Sequence, residues 1–85
     1  MFKNKNSNGK NNICGGNIAK LRKSSVPKMS QRILAEKLQL LGIDVDKNAI
    51  QRIESGQRFV TDIELLGLKL VFNVSFDVLL QTTVK

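Results

Sequence analysis

The feature that most constrains this chain is a series of apolar residues at helical spacing, with residues that begin and end helices on either side. In the clearest segment, three leucines lie at positions i, i+4 and i+7: Leu34, Leu38 and Leu41. Residues at this spacing fall on one face of an α-helix, and Ala35 lies beside them. Ser30 is a favoured N-cap residue, and Gly42 is favoured just beyond a helix C-terminus. We therefore predict a helix over Gln31–Leu41.

The same signals predict a helix before this segment. Asn17 is a favoured N-cap, and Pro27 cannot continue a helix. Because Ile18 and Leu21 lie three residues apart on one face, we predict a first helix over Asn17–Ser25.

A third, shorter helix is predicted after the glycine. Asp46 is a favoured N-cap, and Gly56 supplies the terminator. The residues between them, Lys47–Ser55, place only Ile50 and Ile53 on an apolar face. The other faces of this helix are polar.

Two more helices are predicted in the last third of the chain. Thr61 and Glu64 form a capping-box pattern for a fourth helix that ends near Phe72. Three of its residues are expected to face inward: Ile63, Leu66 and Leu70. Three others are expected on an adjoining face: Leu65, Leu68 and Phe72. Ser75 is expected to cap a fifth helix over Phe76–Gln81, whose apolar residues are Phe76, Leu79 and Leu80.

These signals predict an all-α, compact five-helix domain. A chain of 85 residues is long enough for one domain and too short for two. With four Phe, no Trp and no Tyr, its core must be built from Leu, Ile and Val. Residues 1–12 are rich in Asn, Lys, Ser and Gly, which predicts a disordered basic arm. The ordered domain is then residues 13–81, and residues 82–85 form a C-terminal tail.

Positive charge is concentrated in the first third of the chain. Of the net charge of +7, residues 1–32 hold eight Lys or Arg and no acid, whereas residues 33–85 hold six basic and seven acidic residues. This asymmetry fits a polyanionic partner, nucleic acid first and an anionic membrane surface second. A solubilising tail is the alternative.

The composition argues against catalysis and metal binding. With no His and one Cys, the usual transition-metal ligand sets and the Ser/His or Cys/His catalytic pairs cannot be assembled. We therefore expect no enzymatic activity, no metal and no cofactor. No apolar run approaches the roughly 20 residues that span a bilayer, no secretory signal is visible, and Cys14 fits a reducing compartment. A cytoplasmic protein without a membrane partner is expected.

The second and third predicted helices and the turn between them form a helix-turn-helix candidate. Ile50 and Ile53 would seat the third helix on the domain, so that its polar side chains could enter the major groove. Four of these side chains are suited to contacting base edges: Lys47, Asn48, Gln51 and Arg52. Arg can grip guanine with two hydrogen bonds, and Asn or Gln can do the same for adenine.

Two stretches, SQRILAEKL and AIQRIESGQRFVTDIELLGLKLVFNVSFDVLL, resemble the Cro and phage-repressor helix-turn-helix family, also called Xre-like. The resemblance covers roughly residues 17–81 and implies a lambda-repressor-like DNA-binding domain. The matching positions are Arg22, Ser30-Gln31, Leu34-Ala35, Ile50, Ile53-Glu54, Gly56 and Val74 to Leu80.

This chain departs from the family in one respect. The stretch from Gln31 to Glu54 is about five residues longer than usual, around Gln39 to Val45, which either extends the second helix by about one turn or lengthens the connection. The contacts assigned to Lys47 and Asn48 depend on which of these occurs, whereas Arg52 keeps its distance from Glu54.

The resemblance also implies roles for other residues. Gln31, at the N-terminus of the second helix, is expected to hydrogen-bond a phosphate, with help from the free amides of that helix end. Three basic residues that flank the same face are expected to add phosphate contacts: Lys28, Arg32 and Arg58. Arg22 and Glu54 are expected to form a structural ion pair between the first and third helices.

Together these features predict a sequence-specific double-stranded DNA-binding transcription regulator, a repressor that occupies an operator. A domain this small is expected to act as a homodimer on a near-palindromic site. Phe59, Val60 and the Phe76 to Leu80 surface are expected to be core, or in part the face that pairs with a second copy. The main alternative is an antitoxin-like module that binds a protein partner, a toxin, with DNA binding secondary. An RNA-associated basic protein is a third possibility, but the chain lacks the paired aromatic residues on which unstacked bases stack.

Overall fold

A computed structural model describes residues 10–80 of the chain. This part contains five α-helices and no strand: α1 (Gly15–Ser24), α2 (Gln31–Leu40), α3 (Lys47–Ser55), α4 (Asp62–Phe72) and α5 (Phe76–Leu79). The predicted all-helical fold with five helices is confirmed. The predicted tail at residues 82–85 and most of the predicted arm lie outside the described residues.

Side-chain caps begin four of the helices where the sequence predicts them, and in α5 the Ser75 hydroxyl accepts a hydrogen bond from the Val78 amide at 3.4 Å. The Ser30 hydroxyl accepts a hydrogen bond from the Ile33 amide at 3.0 Å, and the Asp46 carboxylate accepts one from the Ala49 amide at 2.8 Å. Thr61 and Glu64 form the complete capping box of α4. These bonds satisfy amides that have no partner within the first turn of a helix.

The start of α1 differs from the prediction. Asn17 was expected to be its N-cap, but α1 begins two residues earlier with Cys14 as the N-cap residue. The Gly15 amide donates instead to the side-chain oxygen of Asn12 at 2.8 Å. Asn17 lies inside α1, where its side-chain amide donates to the carbonyl of Leu79 at 2.8 Å and ties α1 to α5.

The core forms where α2 packs against α3 and α4, and where α1 packs against α3. Its fully buried aliphatic side chains come from all five helices: Ile18, Leu34, Leu38, Ile50, Ile53, Leu68 and Leu79. Cys14 and Ala35 complete the cluster with two residues of the α2–α3 connection, Ile43 and Val45. The predicted core of Leu, Ile and Val is therefore confirmed, although Leu41, expected on the buried stripe of α2, is half exposed.

The connection between α2 and α3 spans residues 41–46. The helix ends at Leu40, and Gly42 follows with a φ of 84°. The Ile43 amide folds back to the Leu38 carbonyl at 3.0 Å, and the Gln39 side chain donates to the Val45 carbonyl at 2.6 Å. The connection is therefore hydrogen-bonded to the end of α2 and contributes two side chains to the core.

The prediction of the inward face of α4 is wrong. Ile63, Leu66 and Leu70 were expected in the core, but they are 66%, 48% and 56% exposed. The helix packs through Gly67 on the end of α2 and on the α2–α3 connection, where an added Cβ would overlap the side chain of Ile43. This contact turns Leu68 inward and leaves the three other residues on the outer side.

The last helix buries less than predicted. Leu79 is fully buried, whereas Phe76 and Leu80 are more than one third exposed. The predicted end at Gln81 lies outside the described residues, and α5 ends at Leu79. Among the helices of residues 10–80, none has the length and apolar character needed to cross a bilayer.

Candidate nucleic-acid interface

The outer face of α3 carries the four residues predicted to contact base edges. Lys47, Asn48, Gln51 and Arg52 are all exposed, whereas Ile50 and Ile53 are each only 1% exposed. Asn48, Gln51 and Arg52 are three and four residues apart, so they lie side by side on one face of the helix. The backbone rises about 7.5 Å from the first of the four residues to the last. The structure therefore brings these four side chains together on one exposed polar face.

Glu54 is held away from this face by Arg22. The guanidinium donates from Nε to Oε2 at 2.7 Å and from Nη2 to Oε1 at 2.9 Å, and the side chains are 12% and 8% exposed. The hydrogen bonds to Glu54 raise the pKa of Arg22 above its ordinary value, so the guanidinium stays charged. A third donor, Nη1, bonds the Met29 carbonyl at 3.1 Å. The predicted ion pair is thus present and joins α1, α3 and the α1–α2 connection.

Gln31 belongs to the same network. It is the first residue of α2 and is half-buried, and its side-chain Nε2 donates to Oε1 of Glu54 at 3.0 Å. The Gln31 side chain can donate to a phosphate oxygen only through the second N–H of Nε2, because its own carbonyl oxygen is an acceptor. The hydrogen bond to Glu54 places the N-terminus of α2 beside the C-terminal half of α3.

Two of the predicted phosphate-contacting residues are exposed near this helix end. Lys28 lies in the connection that precedes α2, and Arg32 lies in the first turn of α2. The nearest acidic group to Arg32 is Glu36 at 3.7 Å, and their side chains are 76% and 59% exposed. An exposed pair at this distance is weak, so the Arg32 guanidinium can leave it for a stronger anion.

Arg58 has a different environment from the one predicted. Its guanidinium forms two hydrogen bonds with the Glu64 carboxylate, at 2.8 Å and 2.9 Å. Burial raises the pKa of Glu64, but the hydrogen bonds from Arg58 and the Thr61 amide outweigh burial and leave the pKa below its ordinary value. The guanidinium thus joins the segment after α3 to the start of α4. A phosphate would have to compete with Glu64 for it.

The sequence did not reveal the role of Asn11 and Asn12. Both were assigned to the arm, yet they bind the end of α3: the Asn11 amide donates to the Gly56 carbonyl at 2.8 Å. The Asn12 side chain donates to the carbonyls of Ile53 and Arg58, at 3.1 Å and 2.7 Å. The ordered domain therefore begins no later than residue 11. The only local signal is the Asn12 to Gly15 spacing of a capping residue, since the other partners are more than forty residues away.

Cys14 lies in the core beside this contact. Burial raises the pKa of its thiol to about 11, so the thiol stays protonated at neutral pH and is a poor nucleophile. Within residues 10–80 there is no group of three or more His, Cys, Asp or Glu residues that could hold a metal ion. The candidate site is therefore the exposed α3 face together with the start of α2.

No family model, no curated protein and no solved structure matches this chain.

Proposed function

We propose that this chain binds double-stranded DNA sequence-specifically and acts as a transcriptional repressor by occupying an operator. In this proposal α2 and α3 form the helix-turn-helix, and α3 enters the major groove. The observation that carries the proposal is the exposed α3 face, on which Lys47, Asn48, Gln51 and Arg52 lie together.

The chemistry of this face suits base edges. Its Asn, Gln and Arg side chains can each make two hydrogen bonds to adenine or guanine. The Glu54 carboxylate, on the same helix, forms an ion pair with Arg22 at 2.7 Å, which reduces its repulsion of phosphates. Buried Ile50 and Ile53 hold the helix on the domain with its polar face outward.

The start of α2 supports the proposal with backbone contacts. Helix N-termini attract phosphate through free amides and the helix dipole. Gln31, Lys28 and Arg32 lie at or near this end, and Gln31 is fixed beside α3 through its bond to Glu54. Contacts of this kind set the position of a protein on the duplex, while base contacts set the sequence.

A homodimer is part of the proposal. One domain of this size contacts few bases, so two copies would read two half-sites about 34–36 Å apart, or a multiple of that distance. An operator occupied in this way would have near two-fold symmetry.

Salt-dependent binding of a labelled random duplex tests DNA binding without knowledge of the operator. We expect the Lys28→Ala/Arg32→Ala double variant to lose up to about two units of the log-log salt slope, roughly 0.9 per phosphate contact. The matched control is Lys20→Ala, which removes an exposed charge from α1 and should leave most of the slope unchanged. No binding at low salt, or an equal loss of slope per charge removed in the control, would contradict the proposal.

A further inference from the structure

The outer face of α4 has no partner among the described residues. Ile63, Leu66 and Leu70 lie on it at positions i, i+3 and i+7 and are about half exposed or more. We call these three residues the α4 stripe. A contiguous row of large apolar side chains on a helix is a common mark of an interface.

The charges beside the stripe are arranged so that the helix complements itself. Asp62 is the first residue of α4, and Lys69 lies in its last turn. These residues are seven apart, or two helical turns, so they flank the stripe on the same side. The Lys69 ammonium lies 5.6 Å from the centroid of the Phe76 ring, so this side of the stripe is next to the start of α5.

Antiparallel pairing of two α4 helices satisfies both features. A two-fold axis across the helices brings the acidic end of each helix beside the basic end of the other. Asp62 of each copy therefore meets Lys69 of the other copy, which gives two equivalent charge pairs. The helix dipoles also oppose each other in this arrangement. In a parallel pairing the two-fold axis runs along the helices and places the charged sides of the two copies on opposite sides of the contact, so Asp62 and Lys69 form no pair.

We infer that the α4 stripe is the surface through which two copies of this chain associate. The inference names the contact surface of the homodimer. It rests on the proposed function only in that DNA binding is the purpose that the dimer would serve. It differs from the sequence expectation, in which Phe59, Val60 and the Phe76 to Leu80 surface were core, or in part the face that pairs with a second copy. The stripe is also separate from the candidate DNA face, since α3 packs mainly against α1 and α2, while α4 packs against α2 and α5.

The size of the stripe sets the expected strength. Three side chains and two charge pairs make a smaller patch than the roughly 800 Å² per partner of a standard interface. We therefore expect a weak dimer in free solution, populated at micromolar concentrations and favoured when both copies bind one operator.

The first test is sedimentation equilibrium of the full chain without DNA, over a concentration series. Leu66→Glu should weaken dimerisation by about tenfold or more, because it puts a charge at the centre of an apolar contact. Val26→Glu is the matched control: it adds the same charge at a 97% exposed apolar position outside the helices and should leave the dimer unchanged. A circular dichroism melt of each variant checks that it folds.

The second test uses charge reversal and identifies the pairing. Asp62→Lys alone and Lys69→Asp alone should each weaken the dimer by roughly threefold to tenfold at low salt, because each homodimer then contains two like-charge contacts. An equimolar mixture of the two variants should recover the wild-type affinity, since both contacts in the heterodimer are again between opposite charges. No recovery on mixing would overturn the antiparallel arrangement.

The outcomes separate this inference from the proposed function. A monomer at all concentrations, or a dimer that Leu66→Glu does not weaken, overturns the assignment of the stripe even if the chain binds DNA. A chain that dimerises through the stripe but binds no duplex keeps the inference and overturns the proposed function. Stable capture of a protein partner by wild type but not by Leu66→Glu, with no dimer, would assign the stripe to that partner and overturn our inference.

Discussion

Arg52 and Glu54 lie two residues apart on α3 and have different surroundings. Arg52 is exposed on the polar face, whereas Glu54 is nearly buried and accepts hydrogen bonds from Arg22 and Gln31. This difference keeps the charge of Arg52 exposed on the polar face and engages the charge of Glu54 in the ion pair. It also explains why an acid can be tolerated in a helix that we propose to lie against phosphates.

Replacing Arg52 by alanine tests base contact at a single position. Arg52→Ala should cost about 1–3 kcal/mol of binding free energy on the specific operator and relax one base preference. Fluorescence anisotropy on the operator and on a random duplex would measure both effects. An equal loss on the two duplexes would show that Arg52 contacts only the backbone.

Arg58 is expected to affect stability first. Arg58→Ala leaves the Glu64 carboxylate, 8% exposed as a residue, without its cation, which should cost roughly 1–3 kcal/mol of unfolding free energy. Urea denaturation measures this cost, and Arg32→Ala, from an exposed pair, should stay within about 0.5 kcal/mol of wild type. The phosphate contact predicted from the sequence would appear separately, as a fall of about one unit in the salt slope of the folded variant.

The Arg58–Glu64 pair should also make stability depend on pH. Because the folded pKa of Glu64 lies below its ordinary value, its stabilising contribution is complete above the unfolded pKa of roughly 4.3 and is lost as pH falls through the folded pKa. The destabilisation caused by Arg58→Ala should therefore shrink on acidification through this window. Urea midpoints of both proteins at neutral and acidic pH give the comparison, and a constant difference would contradict the account.

At the scale of elements, local signals predicted helix boundaries well and long-range contacts poorly. Ser30, Asp46 and Thr61 cap the helices that the sequence assigned to them, because a cap depends on residues within one turn. The start of α1 could not be predicted in this way. It depends on Asn12, which also binds carbonyls beyond the end of α3 and within it.

The prediction of the inward face of α4 was wrong for a different physical reason. The helix is apolar on almost every side, so helical periodicity does not distinguish one face from another. The choice was made by Gly67, which lets α4 approach Ile43 closely. For the candidate site, the four exposed residues of α3 followed from periodicity, whereas the Gln31 and Arg58 partnerships needed the tertiary structure.

The close approach of α1 to α3 is testable with two neighbouring glycines. A Cβ on Gly15 would overlap the backbone oxygen of Ile53, whereas nothing lies within 4 Å of a Cβ on Gly16. Gly15→Ala should therefore cost about 1–3 kcal/mol, while Gly16→Ala, in the same helix, should be neutral or stabilising by up to about 1 kcal/mol. Thermal denaturation of the two variants measures the difference, and equal stability would contradict the packing of α1 on α3.

At the scale of the whole molecule, two exposed faces have different compositions. The α3 face is polar and basic, and the α4 stripe is apolar with one charge of each sign beside it. The two helices that carry these faces, α3 and α4, each pack against α2. A second copy could therefore occupy the stripe while α3 stays exposed, as a symmetric DNA-binding dimer requires.

Selection of binding sites from a random duplex pool at moderate salt tests the central claim most directly. The account predicts recovery of a two-fold symmetric motif with half-sites separated by about one helical turn or a multiple of it. It also predicts that the Arg52→Ala variant selects the same motif with one position relaxed in each half-site. Recovery of unenriched sequence, with binding that depends only on salt, or no binding at all, would contradict the claim that this protein reads DNA sequence.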